Sequence, residues 1–418
     1  MHVWAEGRAC ELSSVKTDTI EVSGLTKVFD GSVRAVDEIN FVVKGGEILG
    51  FLGPNGAGKT TTLNMLSTLL KPTSGTATVN GHDIVEEPDA VRRSIGYVFQ
   101  DPTLDIELTG RENLDFHGRL YGINRSLRKQ RIEEMLEVVQ LTDRADNLVK
   151  TYSGGMKRRL EIARGLLHHP QVLFLDEPTL GLDPQTRRSI WEHIQRLNQE
   201  KKITIILTTH YTEEADYLCD RILIIDFGKI VALDTPDKLK AKLEGDVVSL
   251  TFRAPAMIPK VRPLFEKKKW IRGVHLVSVD DNQATASRMI NMMQGMAAGS
   301  GMMGGISSGN TSLNRVPKHF EKMSPQGAVS QNNPSNQTPS SKRLDLLVDD
   351  GGHRIPSIVK LADEAGVSLE SVELHKPTLD DFFISVTGRN IRDQRGSFVE
   401  MIRRRRIMQQ ARGRQVHG

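Results

Sequence analysis

From residue 19 to about 235, short uninterrupted apolar runs alternate with segments of helical periodicity. Ile48-Leu49-Gly50-Phe51-Leu52, Val172-Leu173-Phe174-Leu175 and Ile222-Leu223-Ile224-Ile225 are too short for packed helices and read as buried strands. The alternation predicts an α/β domain on a largely parallel sheet. Further on, 246–253 (DVVSLTFR), 271–279 (IRGVHLVSV), 344–348 (LDLLV) and 369–374 (LESVEL) also read as strands. Before the last of them, Ile355, Ile358, Val359, Ala362 and Ala365 recur at helical spacing. Gly366 is placed to end that helix, and Pro356 suits its first turn. A second helix near 258–269 is weakened by Pro263. The order β-α-β-β-α-β predicts a small α+β, ferredoxin-like domain over 245–388.

That domain is interrupted between about 284 and 341 by a Gly, Ser, Asn, Gln and Met-rich stretch holding seven of the 14 Met. It cannot bury enough apolar surface to offset its ordering entropy, so a disordered insert is expected. Thioether binding of Cu(I) by Met289, Met292, Met293, Met296, Met302 and Met303 is the other reading, but no His or Cys partners them. No apolar run approaches the roughly 18 residues of a membrane span. Glu6 and Arg8 break the N-terminal MHVWAEGRACEL, so no signal peptide is expected. Cys10 and Cys219 are too few for a disulfide framework, which suits a reducing cytoplasm. From Thr387 onward nine Arg face only Asp393 and Glu400, a surplus of seven that exceeds the net +4 of the whole chain. The body is therefore near neutral, and its charge is no argument for nucleic acid. The basic tail, 389–418, reads as a solvated end, or through Ile402–Ile407 as a contact for anionic lipid, at about 1 kcal/mol per basic residue.

GPNGAGKTT (Gly53, Pro54, Asn55, Gly56, Ala57, Gly58, Lys59, Thr60, Thr61) follows one of the buried strands and opens a predicted helix, Thr61–Leu70. Such a loop turns backbone N–H groups around a β-phosphate, and the helix N-terminus adds positive dipole. Lys59 would reach the β- and γ-phosphates, and Thr60 could ligate Mg²⁺. VLFLDEP ends a second strand at Asp176 and Glu177. Asp176 could hold the Mg²⁺ shell, and Glu177 could orient and deprotonate an attacking water. Alone, an acidic pair after a strand is as often structural; beside the phosphate loop it points to nucleotide hydrolysis. A third stretch, TYSGGMKRRL at 151–160, places Ser153, Gly154 and Gly155 at a helix start, a second anion cradle in a chain with one nucleotide loop.

The succession GPNGAGKTT, Gln100 in VFQD, YSGGM, LFLDEP, GLDP and His210 in LTTH resembles the ATP-binding cassette (ABC) ATPases over residues 19–235. The resemblance implies a P-loop NTPase cassette with a helical subdomain at about 101–160. It also explains the second cradle: two cassettes pack head to tail, and each Ser153–Gly155 closes over the γ-phosphate held by the other copy. It further implies that His210, after the strand Ile203–Thr208, contacts the γ-phosphate, although a lone His there is more often structural. Gln100 would meet Mg²⁺ or the water and signal to a partner, and Asp183 would lie at the dimer seam. Phe29, expected ahead of the first strand pair, would stack on adenine, or else serve the core. Tyr152 and Met156 depart from the usual Leu and Gln of the signature, and Phe29 from the commoner Tyr, without removing a catalytic group.

With one cassette and no span, the chain is expected to act as half of an ATPase pair bound to ABC-2 type transmembrane permease subunits on other chains, as a peripheral protein of the cytoplasmic membrane face. VELHKPTLDDFFISVTGR (372–389) resembles the end of daunorubicin-resistance-type exporter ATPases, as does the opening at 25–61. A soluble ABC ATPase acting on ribosomes or nucleic acid is the alternative. Ribosome-acting members usually carry two cassettes, and Lys59 and Ser153, only 94 residues apart, leave no room for the coiled coil of DNA-repair members. An importer ATPase with a regulatory C-terminal domain is a third reading.

Overall fold

The computed structural model describes residues 18–29, 32–277 and 343–391. The expected insert at 284–341 and the tail beyond 391 lie outside the described residues. The chain divides into two compact units, one formed by residues up to Gly245 together with those from Lys376, the other by Asp246–His375.

The first unit holds two sheets. Strands β1 (Asp18–Phe29), β2 (Val33–Lys44), β4 (Ser74–Val79) and β5 (His82–Asp83) form an antiparallel sheet in the order β2-β1-β4-β5. Strands β3 (Ile48–Leu52), β6 (Ile95–Val98), β7 (Val172–Asp176), β8 (Thr204–Thr209), β9 (Arg221–Asp226) and β10 (Lys229–Asp234) form a sheet ordered β10-β9-β3-β8-β7-β6. All its pairs are parallel except β9 with β10. The uninterrupted apolar runs follow from this placement, because alternate side chains leave a strand on opposite faces and both faces are covered. Leu52, Leu173, Leu175, Ile205, Leu207, Ile222 and Ile224 enter one core with residues of the surrounding helices. Leu49, Phe51, Phe174, Ile206, Leu223 and Ile225 enter the other, against β1, β2 and β4.

Helices α1 (Lys59–Leu66), α2 (Pro88–Ser94), α3 (Gly110–Leu120), α4 (Arg125–Val138), α5 (Gly154–Leu166), α6 (Pro184–Lys201) and α7 (Thr212–Leu218) complete the frame. The first starts earlier and stops earlier than predicted, because Ser67 caps it and Thr68 turns into the left-handed region at φ 64°. Phe29 also departs from expectation. It is the last residue of β1 and pairs with Val33 across the first hairpin, rather than preceding it.

In the second unit β11 (Asp246–Phe252), β12 (Ile271–Val277), β13 (Arg343–Val348) and β14 (Leu369–His375) form an antiparallel sheet ordered β12-β13-β11-β14. With helices Ile258–Glu266 and Gly351–Glu364 this is the β-α-β-β-α-β arrangement. Val248, Leu250, Phe252, Leu344, Leu346 and Val348 give one buried face, met by Val261, Phe265 and Ile358 of the helices. The second helix begins at Gly351, where its amide donates to Asp246 Oδ2 (2.9 Å), so Pro356 lies inside the helix and not in its first turn.

The expected accessory span of 245–388 is longer than the unit observed. Residues after His375 return to the first unit, where Leu379, Phe382, Phe383 and Ile391 join the core beside Ala215, Leu218 and Leu239. The helix Leu379–Thr387 opens on a reciprocal cap between Thr378 and Asp381 and closes at Gly388, φ 74°.

Candidate active site

The loop between β3 and α1 is held from several sides. Gly53 N–H donates to Thr209 O at 3.4 Å, and Gly228 N–H donates to Ala57 O at 2.9 Å. Gly58 adopts φ 108°, and a Cβ there would come within 2.5 Å of Ala35 O, so only glycine lets the loop pass β2 this closely. Lys59 is buried, and its Nζ donates to Gly53 O (2.7 Å) and Pro54 O (3.2 Å). Burial pushes the ammonium below its ordinary pKa, against the opposing pull of Glu177 and Asp176.

The ends of β7 and β8 bring the acidic residues to this loop. Asp176 Oδ1 accepts from Thr60 Oγ1 (3.1 Å) and Thr208 Oγ1 (2.5 Å). Burial raises its pKa, and the two hydroxyls partly counter that. Glu177 takes a left-handed backbone at φ 45°, unusual for a side chain of its size, and its N–H donates to Thr208 Oγ1 (2.9 Å). Its Oε1 is 3.7 Å from Lys59 Nζ, and its Oε2 is 3.1 Å from His210 Nδ1, close but without the alignment of a hydrogen bond. Burial pushes the Glu177 carboxyl up, yet His210 and Lys59 together hold it below the usual range. A cleft of about 550 Å³ is lined by Val33, Arg34, Ala35, loop residues Asn55, Gly56 and Gly58–Thr61, Gln100, Glu177, Leu180, His210 and Phe227.

The structure thus gathers Lys59, Thr60, Gln100, Asp176, Glu177 and His210 into one place. Asn55, Gly56, Gly58 and Thr61 line the same cleft, whereas Phe29, Ser153–Gly155 and Asp183 do not. Ser153 is an exposed cap of α5, its Oγ accepting from Met156 N–H at 3.3 Å. Asp183 caps α6 through Thr186, whose hydrogen bonds lower the Asp183 pKa. Phe29 is 38% exposed, with Lys27 Nζ 5.2 Å from its ring centre.

Residues missed in the sequence tie these parts together. Arg158 is buried in α5 and donates to Asp176 O (3.0 Å), Pro178 O (2.8 Å) and Phe99 O (2.6 Å) while pairing with Glu161 Oε2 (3.0 Å). Glu161 Oε1 accepts from Thr103 N–H at 2.9 Å. The helix that starts at Ser153 is therefore bonded to the end of β7 and to the segments on both sides of Gln100. An Arg and Glu three apart on a helix look like a surface pair, and only burial tells otherwise.

A glycine loop between a parallel strand and a helix, with a buried lysine and an acidic strand end, defines a P-loop nucleotide site. Residues 36–180 match the ABC transporter family model. The chain is 43% identical over 287 residues to the daunorubicin/doxorubicin resistance ATP-binding protein DrrA of Streptomyces peucetius, covering 69% of this chain and 86% of that protein. It is 35% identical over 369 residues to the doxorubicin resistance ATP-binding protein DrrA of Mycobacterium tuberculosis, covering 88% and 93%. Among solved structures it is similar to cbiO1 of Clostridium perfringens, part of the ABC transporter complex cbiONQ, at 29% identity and TM-score 0.51 over 54% of this chain and 92% of that one. The chain belongs to the ABC transporter ATP-binding proteins of the daunorubicin-resistance type, and it binds and hydrolyses ATP.

Proposed function

We propose that this protein is the ATP-hydrolysing subunit of an exporter whose membrane subunits are other chains, and that it works as a pair of copies on the cytoplasmic membrane face. The clustering of buried Lys59, Asp176 and Glu177 with half-buried His210 at the ends of β3, β7 and β8 is the observation that carries the catalytic half of this reading.

Gly53–Thr61 would surround the phosphates of ATP with N–H groups, and Lys59 would exchange its backbone acceptors for phosphate oxygens. Thr60 and Asp176 present hard oxygen donors side by side, which fits Mg²⁺; a cation would also relieve the unfavourable burial of Asp176. Bound there, Mg²⁺ would supply charge neutralisation across the β- and γ-phosphates. Glu177 stays a carboxylate and can take the proton of a water aimed at the γ-phosphate, with His210 Nδ1 3.1 Å from its Oε2. Gln100, at the cleft edge, would sense the same phosphate. Ser153, Gly154 and Asp183 stand exposed and outside the cleft lining of their own chain, in keeping with service to the nucleotide of a second copy.

Phe116 and Leu120 of α3 and the Tyr121 that caps it are 58%, 68% and 40% exposed, an apolar surface suited to a permease subunit. The likeness to drug-resistance ATPases over most of both chains supports a role in drug export. Among the described residues no helix is long and apolar enough to cross a membrane. The test is to trap a tagged Glu177→Gln chain with Mg-ATP in its native cells and identify its companions. A polytopic membrane protein is the expected partner; ribosomes or nucleic acid without one would overturn the export reading.

A further inference from the structure

Glu177 and His210 follow adjacent strands, β7 and β8, and the segments after them are tied together twice. The first tie is buried. Glu214 Oε1, on α7, accepts from Thr179 Oγ1 and from Trp191 Nε1 of α6 (2.8 Å each), so the turn after Glu177 is bonded to the helix after His210. That turn continues through Leu180 N–H to Glu177 O and Leu182 N–H to Thr179 O (3.2 Å each), and it ends at Asp183, the cap of α6.

The second tie is Arg187, half-buried on α6. Its Nε donates to Leu182 O at 3.0 Å, and its guanidinium carbon is 4.1 Å from the centre of the Tyr211 ring. A guanidinium is planar, so it can stack by its face and donate from its edge in one pose. Tyr211 in turn packs on His210, the two ring centres 4.2 Å apart with planes tilted by 39°. No aligned hydrogen bond among the described residues fixes the imidazole at Nδ1, although that atom is buried and 3.1 Å from Glu177 Oε2. The orientation of the ring therefore depends on what packs against it.

We infer that Arg187 is a positioning residue for His210, holding Tyr211 against the imidazole and anchoring that clamp at Leu182 O. The inference rests on His210 acting at the γ-phosphate, as the proposed function has it. Arg187 does not line the cleft, so it acts through the two rings and not on the nucleotide. Without the guanidinium, Tyr211 and then His210 gain rotamer freedom, and the imidazole spends less time beside Glu177. Because Leu182 adjoins Asp183, the same contact ties the placement of His210 to the segment expected at the seam between copies.

The test measures phosphate release by the full chain with Mg-ATP, and ATP affinity by titration calorimetry. Arg187→Met, which keeps the aliphatic stem, should lower kcat about fivefold and leave KM and ATP affinity within about twofold of the parent. Arg187→Lys should recover little, since an ammonium cannot stack flat and reach Leu182 O together. Tyr211→Ala should reproduce the loss, and Tyr211→Phe, which keeps the ring, should restore turnover. In a His210→Ala chain, Arg187→Met should cost nothing further, whereas an arginine that only stabilises the fold would cost its share again. Unchanged kcat in Arg187→Met, a matching fall in ATP affinity, or a further loss in the His210→Ala chain would overturn the inference. His210→Ala alone separates the two levels. If it loses turnover and Arg187→Met does not, only the Arg187 inference fails; if it turns over like the parent, the role of His210 fails and the inference with it.

Discussion

At the residue scale, the decisive feature is that Glu177 is held as a carboxylate between Lys59 and His210 despite its burial. Glu177→Gln should keep ATP binding and lose turnover by about 10²–10⁴-fold, the worth of a general base, in a phosphate-release assay. Lys59→Ala should instead weaken ATP itself by about 10- to 100-fold, as expected for losing a charged hydrogen bond. A second buried carboxylate has a different signature. Glu214 Oε1 accepts from Thr179 Oγ1 and Trp191 Nε1 (2.8 Å each), and burial raises its pKa above the unfolded value. The stability tied to its neutral form is complete below the unfolded pKa and is lost as pH rises through the folded one. Melting of Glu214→Gln should therefore gain on the parent as pH rises above the unfolded carboxylate value, since the amide keeps the acceptor and never ionises. The phosphate loop and Asp176-Glu177 were legible in sequence because their chemistry requires fixed residue types at fixed spacing. Glu214, Arg158 and Arg187 were not: a charged residue declares its role only through what surrounds it.

At the element scale, α5 carries the exposed Ser153 at one end and the buried Arg158 one turn later. Four acceptors converge on that guanidinium, so Arg158→Met leaves carbonyls and Glu161 unpaired and should destabilise the protein by about 3–5 kcal/mol in denaturant titration. The strands were readable because burial on both faces writes a continuous apolar run. The helix Leu379–Thr387 was misassigned to the accessory domain for a related reason. Its apolar face, Leu379, Phe382 and Phe383, announces burial but not against what. The Thr212 hydroxyl donates to Asp380 at 2.9 Å two residues beyond His210, so this helix supports the catalytic loop. Phe383→Ala should cost about 3–5 kcal/mol, and the loss should appear in melting of the ATPase unit itself.

At the scale of the whole molecule, the composite site is the central claim. The phosphate loop, Glu177 and His210 face one cleft, whereas Ser153 and Gly154 lie exposed outside its lining. Sequence reasoning reached this arrangement through family resemblance, since no periodicity or spacing can say that two motifs of one chain serve different nucleotides. Chains carrying Lys59→Ala and chains carrying Ser153→Arg should each hydrolyse ATP poorly alone. Mixed in equal amounts, they would form pairs with one doubly defective site and one intact site. The measurement is steady-state ATPase activity of that mixture against each variant alone. The account requires activity to reappear on mixing, and a mixture no more active than the mean of its parts would contradict it.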